Sequence, residues 1–399
     1  MTESGQYFIA LLRAAIRQTP PPEKPAAVQW ETIVLLGESA HLCGLLLRAL
    51  EQSGASLPPA LMTRLRRQAD YAVYSEAVQH VETQRLCAAL PLAGVRYCLL
   101  KGAALRALYP SPELREMVDV DVLIPADQRE KARGVMLSLG YQPEGEQDVH
   151  DGYLLPPVMA VELHHRLLSK KSRYKYAFDD PWAVLLPMKE PLRFQMPKTQ
   201  EYLYLLLHLE KHLSEAGIGA RDVLDIYLYR KHNMDELDRP LLDATLEALG
   251  LKSLALNMEA LGEMWFGDGE RTEDLETIGE YVLESGVHGT IRQSVKQNYF
   301  TAGQDTPESA AAARGHYLRS RMFPSADELK TRYPSLGMRH WLRPLYLMCY
   351  WADAAIGSAA DTWARYRAMR DIDSEELKAH RRVMRLMYER READTPTRG

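Results

Sequence analysis

The sequence predicts an α+β chain in which a small sheet domain lies between two helical regions. Three observations carry this. Apolar residues recur at helical spacing up to Leu90, short β-branched runs then alternate with a helical segment between Gly94 and His165, and helical spacing returns from about Glu201. The expected division is a helical region over 1–92, an α/β core over 93–198 and a second helical region over 199–399. At 399 residues the chain is long enough for two or three domains.

The first helix lies ahead of TPPPEKP (Thr19–Pro25), which breaks it, and SGASLPPA (Ser53–Ala60) separates a second from a third. The third, Leu61–Leu90, ends at Pro91. VRYCLLKG (Val95–Gly102) reads as a strand stopped by glycine, and VDVDVLIP (Val118–Pro125) as a second strand with strict alternation. ADQREKARGVMLSLG reads as a helix with a glycine stop, and VMAVELHH (Val158–His165) as a third strand. EYLYLLLHLEKHL and RDVLDIYLYRKH open the second helical region, and SEELKAHRRVMRLMYERREAD forms a charged tail.

A hydrophobic content of 46% with 26% charged residues fits an ordinary globular protein. The net charge of -5 excludes a general affinity for DNA or anionic membranes, while leaving room for a local basic pocket. An early acidic residue and an arginine inside the N-terminal apolar run are unlike a signal peptide, and no stretch reaches the roughly 18 apolar residues of a membrane span. Cys43, Cys87, Cys98 and Cys349 are scattered without a C-x-x-C pair, so a reduced, cytoplasmic protein is expected.

The chemistry centres on Asp119 and Asp121. Along a strand they point to one face while Val118, Val120 and Val122 point to the other. Adjacent carboxylates repel and are costly to bury unless a cation or donors compensate, and a hard divalent cation such as Mg²⁺ suits them. A solvated outer strand face is the alternative reading of D-x-D alone. Glu162 and His164 share a face of the third strand in the same way. His208 and His212 have a spacing that can bind zinc, but HLEKH places its glutamate one position too late for a zinc peptidase. Lys211, His212, Arg221 and Asp225 either line a cleft from the helical side or belong to core packing and surface. No P-loop, no dinucleotide-binding glycine motif and no nucleophile elbow occurs.

A strand, a glycine-containing turn, a helix, alternating aspartates and a later strand with a third carboxylate resemble the polymerase β-like nucleotidyltransferase superfamily. LLKGAAL, the YP and LR elements, VDVDVLIP and VELHH resemble more closely a bacterial group of uncharacterised nucleotidyltransferases. The helical lead-in, HLEKH with RDVLDIY, and RMFPSADELKTRYP extend the likeness over most of the chain. The resemblance implies a mixed-sheet core with Asp119, Asp121 and Glu162 as catalytic metal ligands for Mg²⁺ or Mn²⁺. It implies a nucleoside triphosphate, ATP being the expected one, from which a nucleoside monophosphate passes to an acceptor with release of pyrophosphate. Lys101, Gly102 and Arg115 become the expected nucleotide-binding residues, with Arg115 preferred to Arg106 because it matches the LR element. His164, His212 and Arg221 are further candidates.

The chain departs from the superfamily pattern at Lys101-Gly102-Ala103, where Gly-Ser is usual, and in a longer interval before the aspartates. The acceptor stays open among a small molecule, a peptide or protein side chain, and an RNA end. The rival readings are a non-catalytic nucleotide-binding module and metal-dependent phosphoryl transfer or hydrolysis. Two further expectations follow: removing either aspartate relieves repulsion in the metal-free protein, and Lys101 acts apart from the aspartates on the phosphates.

Overall fold

Helix α1 (Glu3–Arg17) starts where the Thr2 hydroxyl accepts from the Gly5 amide at 3.2 Å, and buries Phe8, Leu11, Leu12 and Ala15 along one stripe. Its basic end performs a second task. Arg13 donates to the carbonyls of Trp265 and Met264 at 2.5 Å each, and Arg17 to Phe266 at 2.9 Å, so the first helix caps a helix late in the chain. The computed structural model describes residues 1–286, 290–301, 342–356 and 359–389, together with 315, 318, 319, 322–326, 329 and 333. Half of RMFPSADELKTRYP, and all of the chain from 390 onward, lie outside the described residues.

The second expected helix is two, α2 (Trp30–Ser39) and α3 (Cys43–Ser53). The chain turns at His41, whose φ is 51°, and the Leu42 amide returns to the Gly37 carbonyl. No proline or glycine marks this break, which hides it from sequence. Helix α4 (Pro59–Leu92) carries proline at its first turn and holds Pro91 in its last.

A seven-stranded mixed sheet follows, in the order β3-β4-β5-β2-β1-β7-β6. Its strands are β1 (Tyr97–Leu99), β2 (Asp119–Leu123), β3 (Gln142–Glu146), β4 (His150–Leu155), β5 (Met159–His164), β6 (Leu186–Pro187) and β7 (Arg193–Gln195). β1, β2 and β5 are the expected strands, and the β3–β4 hairpin and the short β6–β7 pair extend the sheet at its edges. The short helix α5 (Lys101–Arg106) follows β1 directly, and α6 (Arg129–Ser138) links β2 to β3.

Val120, Val122, Val161 and Leu163 pack on Leu86 and Leu90 of α4 and on Ala132, Val135 and Met136 of α6. Each such burial is worth about 1.5–3 kcal/mol, enough to pin the register of strands whose other face is charged. That other face meets the larger helical core through Cys98 and Leu123.

Beyond the sheet come α7 (Lys198–Glu215), α8 (Ala220–Asn233), α9 (Arg239–Leu249), α10 (Lys252–Phe266), α11 (Glu273–Ser285) and α12 (Ile291–Thr301). The described C-terminal helices are α13 (Arg343–Ile356), α14 (Ala359–Asp371) and α15 (Ser374–Tyr388). One apolar core runs from α1–α3 through α7, α8 and α10 to Val383 and Met387 of α15, so the two helical regions are joined through their interiors. Among the described residues no helix is long and apolar enough to cross a membrane.

Candidate active site

β2 and β5 run parallel and in register, which sets Asp121 beside Glu162, Asp119 beside Ala160 and Leu123 beside His164. Neighbours in register share a face, so the carboxylates of both strands converge on the side away from the valine layer. β4 then pairs antiparallel with β5 and brings His150 opposite His164, their rings 5.0 Å apart. From above, α7 lowers Tyr204, His208 and His212 onto this face, and α8 contributes Arg221, Asp222 and Asp225.

The result is a cavity of about 1010 Å³. Asp119, Asp121, Glu162, Lys101, Gly102, Arg115, His164, His212 and Arg221 all line it, and Arg106 does not. Gln297 of α12 and Tyr388 of α15 line it as well.

Asp121 sits at the electrostatic centre. Its Oδ1 lies 2.7 Å from His164 Nε2 and its Oδ2 3.2 Å from Lys101 Nζ. Burial alone would raise this carboxyl, but Lys101 and His164 outweigh it and hold it well below the usual range. Asp119 lacks such partners. Burial, reinforced by Asp121 and Glu162, pushes its carboxyl up to about 6, with Lys101 only partly opposing. The two aspartates thus have opposite environments.

Burial would lower His164, yet its bonds to Asp121 and, at 3.2 Å, to Glu162 prevail and raise it to about 9. His150 Nδ1 lies 3.1 Å from Glu162 Oε2, at ion-pair distance but outside hydrogen-bond geometry, and burial lowers its pKa. His208 reaches Lys101 Nζ at 3.3 Å and His212 Nε2 at 2.7 Å. Burial, then Lys101 and His212, depresses His208 far below its ordinary value, so it is neutral at pH 7.

Lys101 therefore does not act apart from the aspartates. Its ammonium is Asp121's counter-charge in the metal-free protein. A Cβ at Gly102 would come within 2.9 Å of the flexible end of Met117 and 3.3 Å of Arg115 Nη1, so a larger residue would need Met117 to swing aside.

Arg115 is more committed than the sequence suggested. Its Nε and Nη2 bind Asp225 at 2.9 and 2.7 Å, Tyr109 donates to the same carboxylate at 2.8 Å, and all three residues are buried. Only Nη1, facing Gly102, is left toward the cavity. Arg221 has more to offer, since Nη1 holds the Glu116 carbonyl at 2.9 Å while its buried Nε has no partner. The rival arginine, Arg106, is turned to Gln79 at 2.7 Å.

Asp119, Asp121 and Glu162 all line this cavity, and carboxylate oxygens are the donors a hard divalent cation takes, while the described ligand atoms that lie within 4.8 Å of one another are those of His150, Glu162 and His164. Sequence reasoning missed His150, because the β3–β4 hairpin that places it was not read as strands. His208 drew notice there only for its spacing to His212, which the structure turns into direct contact.

No curated protein and no solved structure matches the chain. A family model described as an uncharacterised nucleotidyltransferase matches residues 26–267, a span that includes all the carboxylates, cations and imidazoles described above. The match covers more than half of the sequence. The chain belongs to the uncharacterised nucleotidyltransferase family.

Proposed function

We propose that the protein transfers a nucleoside monophosphate from a nucleoside triphosphate, ATP being the first to try, to an acceptor hydroxyl. The observation that carries this reading is the register of β2 on β5, which gathers Asp119, Asp121 and Glu162 on one cavity-facing side. Asp119, Asp121 and Glu162 would hold Mg²⁺ or Mn²⁺. The bound cation supplies charge neutralisation at the triphosphate and at the leaving pyrophosphate.

The chain's own groups account for the rest. Lys101 and Arg221 bind phosphate oxygens, with Gly102 and Arg115 Nη1 shaping the wall behind them. The acceptor oxygen bonds to the α-phosphorus as the α–β bridging bond breaks, pyrophosphate departs with the bond pair, and Glu162 takes the hydroxyl proton. In the metal-free protein His164, protonated at neutral pH, keeps Asp121 ionised and oriented. The helices α7 and α8 wall one side of the cleft, and His212 is among the residues that line it there. A cavity of about 1010 Å³ exceeds what one drug-sized ligand needs, leaving space for an acceptor beside the nucleotide. The scattered cysteines, none of them in a disulfide, fit a bacterial cytoplasm.

One observation favours a non-catalytic nucleotide-binding module instead: Lys101 already neutralises Asp121. Incubating the protein with each α-³²P-labelled triphosphate, Mg²⁺ or Mn²⁺ and cell extract separates the readings. A labelled acceptor supports transfer. Binding of the triphosphate without any labelled product supports the module.

A further inference from the structure

The donor set beside the aspartates is not purely oxygen. His150, Glu162 and His164 each present one ligand atom to a common point, with all three atoms within 4.8 Å of one another. His150 Nδ1 and His164 Nε2 lie 3.1 and 3.2 Å from the same oxygen, Glu162 Oε2. Ligands bound at about 2.1 Å are separated by about 3.0–3.4 Å along the edge of an octahedron or tetrahedron, so the spacing already matches a coordination edge.

The three residues come from adjacent strands, β4 and β5, whose register is fixed by the valine layer behind them. Asp121 Oδ1 lies 2.7 Å from His164 Nε2, and that bond gives way when His164 releases its proton to solvent and takes the ion through the same nitrogen.

Two imidazoles change which cation fits. Mg²⁺ takes oxygen donors and gives up water reluctantly, whereas imidazole suits the later first-row transition ions and is accepted by Mn²⁺ least readily among them, which makes Mn²⁺ the stringent probe. We infer that His150, Glu162 and His164 form a nitrogen-bearing subsite that binds a first-row transition dication in preference to Mg²⁺, next to the aspartate pair. The inference rests on the reading of Glu162 as a metal ligand. It assigns the cation class at the Glu162 side of the cleft and makes His150 a ligand.

Mn²⁺ titrated into the full-length, nucleotide-free protein tests it, read by pulsed electron paramagnetic resonance and by equilibrium dialysis. The expected result is ¹⁴N coupling from directly bound imidazole, diminished in both His150→Asn and His164→Asn. Each variant should lose at least 10-fold in Mn²⁺ affinity, on the scale at which coordination-sphere changes act. A 100-fold excess of Mg²⁺ should leave the ¹⁴N-coupled signal in place. If His164→Asn fails to fold, His150→Asn decides alone, since His150 is outside the bond to Asp121.

Bound Mn²⁺ without nitrogen coupling, or its displacement by equimolar Mg²⁺, overturns the inference. Because no nucleotide is present, the two readings fail separately. Nitrogen-coupled Mn²⁺ in a protein that never transfers label keeps the subsite and removes the proposed reaction. Transfer by a protein whose Mn²⁺ shows no nitrogen does the reverse.

Discussion

Lys101 Nζ and Asp121 Oδ2 meet at 3.2 Å in the buried floor of the cavity, one from the start of α5 and one from the middle of β2. The ammonium stands where a divalent cation would meet the same carboxylate. Opening half of a buried pair costs about 3–5 kcal/mol because the partner is left uncompensated. Lys101→Met should therefore lower the stability of the metal-free protein by about that amount, and added Mg²⁺ or Mn²⁺ should restore more stability to the variant than to wild type. Urea unfolding with and without the cation measures both. Equal losses with and without metal would mean that Lys101 is packing alone.

The aspartates should respond differently to amidation. In Asp121→Asn, Lys101 and His164 lose their anionic partner, and metal-free stability should fall by about 3–5 kcal/mol. Asp119 is held up at about 6, above its unfolded value near 3.9. Its ionisation thus costs stability as pH rises from about 4 through 6, and Asp119→Asn should match wild type below that window and equal or exceed it above. Denaturation midpoints at pH 4 and pH 7.5 decide the sign. The sequence suggested a common benefit from removing either carboxylate, and the partners supplied by α5 and β5 divide the two cases.

His164 sets an alkaline limit. Its folded pKa of about 9 exceeds the unfolded value near 6.5, so its contribution is complete below about 6.5 and is lost as pH rises through 9. The metal-free wild type should lose stability across that interval. His164→Gln should show a flatter profile there, checked by thermal midpoints from pH 6 to 9.5.

Arg115 and Asp225 should behave as a structural pair. Arg115→Met leaves Asp225 buried with only Tyr109 to satisfy it, and a loss of about 3–5 kcal/mol is expected. Arg221→Met should instead weaken binding of a non-hydrolysable triphosphate analogue while shifting the unfolding midpoint little. Calorimetric titration of both variants, paired with unfolding curves, distinguishes the roles.

The sequence disclosed the parts whose causes are local. Strict alternation in VDVDVLIP and VELHH reports a strand with one buried and one charged face, and a glycine after SL ends α6 where chain reversal requires it. What it hid depends on distant partners. β3, read QPEGE, is exposed along its whole length, and as a charged edge strand it needs no alternation. Without β3 and β4, His150 had no place beside His164. The division of Arg115 from Arg221 turns on Asp225, which α8 brings in from far along the chain.

The central claim is that Asp119, Asp121 and Glu162 support transfer of the α-phosphate-bearing nucleotide. Parallel reactions with α-³²P and γ-³²P ATP, Mn²⁺ or Mg²⁺ and cell extract, run with wild type and with Asp119→Asn, test it most directly. The expected result is an acceptor labelled from the α position only, with the γ label released in pyrophosphate and both signals absent in the variant. An acceptor labelled from the γ position, or α labelling that persists in Asp119→Asn, would contradict it.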